Sequence, residues 1–298
     1  MSIQTHDRRH QWERLVSMPA IRRKESAVGT FEEPEIKKLL LQLRRDVVHM
    51  AERSAHVAPA LSCVDILGVL YFYVLNVSPS NSSALDRDRF ILSKGHAAMA
   101  LYAVLARAGL INESETGDYC QVGSYLMEHP PAGKIPAIEF ATGSLGHGLP
   151  VAVGMAKGLE LKGLKARVFV LLGDGECDEG TVWESAAVAS GQRLDNLIAV
   201  VDQNGWQACS RCCEVSGEIN LGDRWASFGW SVDSADGHDP EQLKRCLSRR
   251  NDPGRPRVVI CHTVKGKGIN FMENNLEWHY RPVRGDEKEQ ALRELSDA

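Results

Sequence analysis

Apolar residues follow two kinds of pattern along this chain, helical spacing near the beginning and short continuous runs further on. From Glu35 to Met50 they recur every three or four positions between charged residues, which predicts an amphipathic helix. Pro34 suits the first turn of this helix, where a missing N–H breaks no hydrogen bond. The stretch from about Leu61 to Leu75 is apolar on all sides, which predicts a second, deeply buried helix.

Three later apolar runs are continuous, as is typical of strands that are buried on both faces of a parallel sheet. They span Val168 to Leu172, Leu197 to Val201 and Val258 to Cys261. Helical stretches lie between them, from Thr181 to Ser190 and from Glu241 to Ser248. Because strands alternate with helices, we predict an α/β fold, a parallel sheet with helices on both faces.

The composition is that of an ordinary globular protein and supports this fold class. The chain has 298 residues, 43% of them hydrophobic and 25% charged, so we expect a complete hydrophobic core. The sequence shows no internal repeat, no low-complexity linker and no sharp change in composition. We therefore expect one domain over residues 34–282, preceded by an amino-terminal extension (1–33) and followed by a charged tail (283–298).

Charge, hydropathy and cysteine content narrow the class of protein. Lys and Arg number 35 and Asp and Glu 39, so the basic excess of a nucleic-acid-binding protein is missing. The densest apolar stretch, Ile66 to Val77, is shorter than the ~20 residues that cross a membrane. The first 30 residues contain no apolar block, which argues against a secretory signal. Eight cysteines at this length do not suggest a disulfide scaffold, and we expect a cytoplasmic protein.

Polar residues follow directly after two of the predicted strands. A glycine–aspartate–glycine turn, Gly173 to Gly175, ends the first strand, and Asn204 follows the second, one helix and one strand later. Ligands of open α/β sheets lie beyond the carboxyl ends of the strands, so Asp174 and Asn204 can reach one ion. A carboxylate, an amide oxygen, the Trp206 carbonyl and two phosphate oxygens would suit Mg²⁺. The two glycines would let the backbone approach a phosphate closely.

This arrangement resembles the signature of the thiamine-diphosphate enzyme superfamily, a Gly-Asp-Gly followed by an Asn after the next strand. Further blocks, in the same order, resemble the amino-terminal, diphosphate-binding half of the transketolase family: Ser54-Ala55-His56, Asp86 to His96, His129-Pro130, Thr142 to Gly148, and Glu179-Gly180 with Glu184. The resemblance runs from about residue 35 to residue 280. It implies the thiamine-diphosphate-binding fold, with thiamine diphosphate and Mg²⁺ (or Ca²⁺ or Mn²⁺) as cofactors.

The resemblance also implies a role for each matching residue. Asp174 and Asn204 would bind the metal together with the Trp206 carbonyl. The residues expected to line the cofactor are Gly143, Leu145, Gly173, Asp174, Gly175, Glu176 and Asn204. His56, His96 and His129 would contact the donor ketose and its developing charges, and His279 matches a fourth active-site histidine of the family. Imidazoles suit this chemistry because they both accept and donate protons near neutral pH. Glu179 and Glu184 would lie at a subunit interface and couple two active sites.

The sequence departs from the family pattern mainly in its length. After His279 only a short charged segment remains, with no room for the pyrimidine-binding domain and its cofactor-activating glutamate. We therefore expect the amino-terminal subunit of a split transketolase, which transfers a two-carbon ketol unit from a ketose (phosphate) donor to an aldose acceptor. It would work with a separate carboxy-terminal subunit, in an α2β2 heterotetramer. Tyr280 follows His279 where the family often has Gly, a departure that bears on the placement of His279. Val57-Ala58-Pro59 stands where the family is richer in glycine and would reshape the donor pocket.

Other interpretations stay open at this point. The chain could belong to a 2-oxo-acid-decarboxylating enzyme similar to deoxyxylulose-phosphate synthase, or be a non-catalytic, cofactor-binding regulatory subunit. His56 taken alone could be a structural histidine. Three clustered cysteines could bind zinc, but no second ligand pair is evident and reduced thiols are favoured: Cys209, Cys212 and Cys213. Lys265 and Lys267 fit a phosphate contact and a solvated loop equally well.

Overall fold

A five-stranded parallel sheet forms the centre of the chain in the computed structural model, which describes residues 33–296. The strands are β1 (Arg89–Leu92), β2 (Val168–Gly173), β3 (Leu197–Gln203), β4 (Ser231–Asp236) and β5 (Arg257–His262). They lie in the order β1-β2-β3-β5-β4, and every neighbouring pair is parallel. The predicted parallel sheet is therefore confirmed, and β1 and β4 add an edge strand on either side.

Helices connect the strands and precede the sheet. In the described residues they are α1 (Glu33–Met50), α2 (Val57–Ser62), α3 (Val64–Val69), α4 (Ala98–Arg107), α5 (Gly148–Leu161), α6 (Gly180–Gly191), α7 (Cys212–Ser216), α8 (Leu221–Ser227), α9 (Pro240–Ser248) and α10 (Asp286–Glu294). Helices α1, α6 and α9 lie where the sequence predicts them. No helix within residues 33–296 is both long enough and apolar enough to cross a membrane.

The second predicted helix is wrong in one respect, because it is not continuous. It is divided into α2 and α3 at Cys63, whose backbone (φ −107°, ψ 7°) is not helical, and it ends in a π-helical turn. The Cys63 N–H donates to the Ala60 carbonyl, and the Pro59 carbonyl instead accepts from Ser62 Oγ (3.0 Å) and Lys94 Nζ (3.1 Å). Side chains that bond to the preceding turn compete with helical hydrogen bonds, which accounts for the break.

Two hydrophobic cores lie on opposite faces of the sheet. Successive residues of a strand point to opposite faces, and on β2 Phe169 and Leu171 join one core while Val168 and Val170 join the other. Helices α1, α3 and α4 contribute to the first core, and α5, α6 and α8 to the second. Helices therefore cover both faces, as predicted, which explains why the central strands are continuous apolar runs.

The segment after residue 282 packs against the domain. Helix α10 contacts α1, and its Ala291, together with Leu295, is buried. Lys288 also lies 3.0 Å from Glu52. The segment expected to be a charged tail therefore contains an amphipathic helix, α10, that packs against α1. The expected extension, 1–33, lies outside the described residues apart from the first position of α1, and both domain boundaries stay predictions.

Replacing Gly148 with alanine tests the close packing of α5 against the loop after β1. A Cβ at Gly148 would overlap the Ser93 side chain and lie 2.8 Å from the Ser93 Cα, so the backbone must shift. We expect Gly148→Ala to lower the free energy of unfolding by about 1–3 kcal/mol in urea denaturation.

Gly158→Ala is the matched control in the same helix, since a Cβ there meets nothing within 4 Å. Alanine favours the helix by up to about 1 kcal/mol, so this variant should be unchanged or more stable. A Gly148→Ala protein as stable as the wild type would contradict the packing described.

Candidate active site

A cavity of about 410 Å³ opens at the carboxyl ends of β2 and β3. Parallel strands place the residues that follow them at one edge of the sheet, which is where ligands of such sheets bind. The cavity is lined by every predicted metal and cofactor residue: Gly143, Leu145, Gly173, Asp174, Gly175, Glu176, Asn204 and Trp206. The four predicted histidines line it as well: His56, His96, His129 and His279.

Asp174 connects the ends of the two central strands. Its Oδ2 accepts a hydrogen bond from the Gly205 N–H (2.6 Å), and its Oδ1 accepts one from the Gly175 N–H (3.0 Å). Its own N–H donates to the Asp202 carbonyl (3.2 Å). Burial, and then the nearby Asp202 carboxylate, raise the pKa of Asp174 to about 6. A buried carboxylate beside another carboxylate is a favourable place for a cation.

Asn204 and Trp206 form a tight turn after β3. Asn204 Oδ1 accepts a hydrogen bond from the Trp206 N–H (3.0 Å), and the Arg211 guanidinium lies 3.7 Å from the centre of the Trp206 ring. The described residues contain no group of three or more His, Cys, Asp or Glu that could hold a metal. The donors at hand are one carboxylate, one amide oxygen and one main-chain carbonyl, a set that Mg²⁺ completes with phosphate oxygens.

The glycines beside Asp174 leave room for a ligand's phosphate. A Cβ at Gly175 would lie 2.7 Å from Gln207 Cγ, so any larger residue would push against the loop that follows β3. The donor set and this space fit a metal-bound diphosphate.

Glu176 supports the cavity rather than offering a free carboxylate. It accepts hydrogen bonds from the Ser93 hydroxyl, the Gly146 N–H (2.8 Å) and the Gly173 N–H (3.1 Å), and it is buried. Burial raises its pKa above the ordinary value. These bonds hold the end of β2 against the Gly143–Gly148 loop, so Glu176 positions both. Direct cofactor contact by Glu176 stays a prediction.

The four histidines form one cluster at the other end of the cavity. The ring centre of His56 lies 5.4 Å from those of His96 and His279 and 6.3 Å from that of His129. His56 precedes α2 with a left-handed backbone (φ 65°), and its N–H donates to the His279 carbonyl (3.0 Å). The grouping expected from four distant sequence blocks is therefore found. Contact of His56 with a substrate stays a prediction.

Burial favours the neutral form of three of the four imidazoles, those of His56, His96 and His279. It lowers the pKa of His56 and of His96, and with nearby Lys265 it lowers the pKa of His279 to about 3. A neutral imidazole has one N–H donor and one lone-pair acceptor, so its hydrogen-bond partners determine which ring nitrogen carries the proton. The cluster can therefore both accept and donate hydrogen bonds at neutral pH.

Lys265 fixes the orientation of His279, a contact that sequence analysis missed. Its Nζ donates to His279 Nδ1 (2.7 Å) and to the Gln207 carbonyl (3.2 Å), and the side chain is fully buried. Burial lowers the pKa of Lys265 to about 8. Because the ammonium occupies Nδ1, the proton of neutral His279 is on Nε2. The solvated-loop alternative is wrong for Lys265, whereas Lys267 is half-buried and pairs with Glu273 (3.4 Å).

A fully buried ion pair between Lys94 and Asp202 lies at the base of the cavity. Asp202 also accepts hydrogen bonds from Ser62 Oγ (2.5 Å) and from the Thr263 hydroxyl. Although burial opposes the charge, Asp202 raises the pKa of Lys94. Sequence analysis assigned no role to either residue. The available signal was Asp202 directly after one apolar run and Lys94 two positions after another, Phe90 to Leu92.

Glu179 and Glu184 lie outside this cavity. Both are exposed, Glu179 just before α6 and Glu184 within it. The structure therefore does not bring them together with the histidines. Their expected place at a subunit interface stays a prediction.

The clustered cysteines are free thiols; Cys209 lies in the loop that follows Asn204, and Cys212 and Cys213 begin helix α7. Cys209 and Cys213 are exposed and Cys212 is half-buried. Burial, and then the nearby Asp174 carboxylate, raise the pKa of Cys212 to about 12. No cysteine-containing metal cluster occurs in the part of the chain that the structure describes. The preference for ordinary reduced thiols agrees with these observations.

Comparison with known proteins assigns the family. Residues 35–296 match the family model described as transketolase, thiamine diphosphate binding domain. The chain belongs to the transketolase family. The resemblance stated from the motifs and the thiamine-diphosphate-binding fold are both confirmed by this match.

The chain matches some relatives over most of their length and others over less than half of it. It is 41% identical over 266 residues to an apulose-4-phosphate transketolase subunit of Actinobacillus succinogenes, covering 88% of this chain and 96% of that protein. It is 36% identical over 241 residues to a 6-deoxy-6-sulfo-D-fructose transketolase subunit of a Clostridium species, covering 80% and 88%. Human transketolase is 37% identical over 247 residues, covering 82% of this chain and 39% of the human protein.

A solved structure agrees with these matches. Transketolase from Campylobacter jejuni superimposes with a TM-score of 0.77 at 30% identity, covering 88% of this chain and 42% of that chain. The chain thus spans about two fifths of the solved transketolase that it matches. The expected type of enzyme, a thiamine-diphosphate-dependent transferase of the transketolase family, is confirmed.

Removing the charge of Asp202 tests the buried pair. Asp202→Asn leaves the Lys94 ammonium buried without a counter-charge, so we expect a loss of about 3–5 kcal/mol in the free energy of unfolding. Lys94→Met combined with Asp202→Asn removes both charges and should recover most of that loss.

Glu160→Gln is the control, because it breaks the exposed Lys157–Glu160 pair (2.9 Å) and should cost less than about 1 kcal/mol. Urea denaturation measures all three variants. A double variant no more stable than Asp202→Asn would show that charge burial is not the cause.

Proposed function

We propose that this chain is the amino-terminal subunit of a split transketolase. It transfers a two-carbon ketol unit from a ketose phosphate donor to an aldose acceptor. The observation that carries the proposal is a single cavity with Asp174 and Asn204 at one end and four histidines at the other. The relatives named as subunits support this proposal. The match covers 96% of the length of the apulose-4-phosphate transketolase subunit but only 39% of the length of human transketolase.

Thiamine diphosphate and Mg²⁺ (or Ca²⁺ or Mn²⁺) are the cofactors that fit this cavity. Asp174, Asn204 and the Trp206 carbonyl hold the metal, and through it the diphosphate. Gly143, Gly173 and Gly175 let the backbone approach the phosphates, and Leu145 offers an apolar contact. When bound, the cofactor supplies the electron sink that stabilises negative charge on the reacting carbon.

The histidines move the protons of the reaction. Cleavage of a ketose needs a base for one hydroxyl proton and a donor for an oxygen that becomes negative. His279 acts as a donor through Nε2, because Lys265 occupies Nδ1. His56, His96 and His129 lie within the same cluster and contact the remaining hydroxyl groups. Burial favours the neutral form of His56 and His96, which leaves one ring nitrogen of each with a free lone pair.

A second polypeptide completes the active site in this proposal. The partner is the carboxy-terminal transketolase subunit, which brings the pyrimidine-binding domain and its glutamate. Two copies of each chain assemble into an α2β2 heterotetramer in the cytoplasm. The exposed Glu179 and Glu184 on α6 then face the second copy of this chain. Relatives that cover most of this chain are themselves named as transketolase subunits, which supports a two-chain enzyme.

An assay of the complex isolated from its own host tests this function. With a ketose phosphate and an aldose phosphate, we expect ketol transfer that depends on thiamine diphosphate and Mg²⁺. With pyruvate, we expect no release of carbon dioxide. Carbon dioxide from pyruvate would instead indicate a 2-oxo-acid-decarboxylating enzyme, and cofactor binding without either reaction would indicate a regulatory role.

Asp174→Asn tests the metal site in the same complex. The variant loses the single carboxylate of the donor set, so we expect thiamine diphosphate with Mg²⁺ to bind about 10- to 100-fold more weakly by calorimetry. Asp178→Asn is the matched control, because Asp178 is an exposed carboxylate bonded to Gln207 and Ser216. Equal affinity in the Asp174→Asn and wild-type complexes would rule out Asp174 as the metal ligand.

A further inference from the structure

Glu128 contacts the histidine cluster from outside the motifs that define the family resemblance. Its Oε1 lies 3.3 Å from His56 Nδ1 and accepts a hydrogen bond from Ser54 Oγ (2.8 Å). The buried Tyr119 donates its hydroxyl proton to Ser54 Oγ (3.0 Å). Glu128 is therefore held in place by a chain of hydrogen bonds that begins in the core.

The carboxylate of Glu128 determines which nitrogen of His56 carries the proton. Burial opposes the charge of Glu128, but the hydrogen bonds from Ser54 and His56 outweigh it and lower the pKa of this carboxyl. An ionised carboxylate can only accept a hydrogen bond, so the proton of neutral His56 must be on Nδ1. Nε2 is left with its lone pair.

His279 is held in the opposite way. Its Nδ1 accepts from Lys265, which leaves the proton on Nε2. The ring centres of His56 and His279 are 5.4 Å apart, and both rings line the cavity. One imidazole therefore presents a lone pair at Nε2 and its neighbour presents an N–H. Such a pair suits a substrate with one hydroxyl to deprotonate and one oxygen to stabilise.

We propose that Glu128 is a positioning residue that fixes the tautomer of His56, so that His56 Nε2 accepts the hydroxyl proton of the donor ketose. In this step the O–H bond breaks, the proton bonds to Nε2, and the electron pair stays on the oxygen. The resulting imidazolium is stabilised at its Nδ1–H by the Glu128 carboxylate. The identity of the proton donor rests on the proposed transketolase function, whereas the tautomer does not.

Nuclear magnetic resonance of the full chain with ¹⁵N-labelled histidine tests the tautomer without any substrate. In the wild-type chain we expect His56 to show a protonated Nδ1 and an unprotonated Nε2, with His56→Gln used to assign its signals. In Glu128→Ala the proton should move toward Nε2, while His279 stays unchanged. Glu160→Ala, which removes an exposed carboxylate elsewhere, should alter neither ring.

Glu128→Gln provides a second variant, since its side-chain carbonyl can still accept from Nδ1. It should keep the wild-type tautomer, and in the complex its kcat should lie between those of Glu128→Ala and the wild type. For Glu128→Ala we expect kcat to fall roughly 10- to 100-fold with little change in KM.

Two results would overturn the proposal. The first is a wild-type chain in which His56 is protonated at Nε2. The second is a folded Glu128→Ala chain in which His56 has the same tautomer as in the wild type. If that variant does not fold, the wild-type and Glu128→Gln spectra decide. The expected tautomer in a complex without ketol transfer would leave the positioning role intact and reject the proposed function.

Discussion

The buried ion pair of Lys94 and Asp202 is the constraint on which the rest of the site depends. Isolated charges in a protein interior are strongly unfavourable, so each of these residues requires the other and further hydrogen bonds. Ser62 at the end of α2 and Thr263 after β5 supply those bonds to Asp202. Three separate segments, those of Ser62, Lys94 and Thr263, are therefore drawn to the carboxyl end of the central strand β3. The break between α2 and α3 follows from this ion pair, because Lys94 Nζ also donates a hydrogen bond to the Pro59 carbonyl.

The same constraint places the two ends of the cavity. Asn204 follows Asp202 by two positions, and Asp174 bonds to the strand end beside it, so the proposed metal ligands lie on one side. On the other side, His96 follows Lys94 by two positions, and His56 precedes the helix that ends at Ser62. The proposed metal ligands and two of the histidines are therefore all attached to strand ends and helices that meet around Asp202.

Sequence patterns predicted the features that repeat or that carry a motif. The buried strands β2, β3 and β5 are apolar on both faces, and the Gly-Asp-Gly turn and the later Asn have a fixed relation to them. The edge strand β4 was missed because four of the six positions of Ser231–Asp236 are serine or aspartate, so no continuous apolar run marks it. Glu128 and Lys265 were missed as partners because their roles depend on histidines far away in the sequence. No local spacing signals such long-range contacts.

The central claim is that this chain is one half of a two-chain transketolase, with the diphosphate end and the histidines on one polypeptide. Native mass spectrometry of the complex isolated from its own host, with thiamine diphosphate and Mg²⁺ retained, tests it most directly. We predict two copies of this chain, two copies of a second polypeptide and bound cofactor. A homodimer of this chain that transfers ketol units without a second polypeptide would contradict the account.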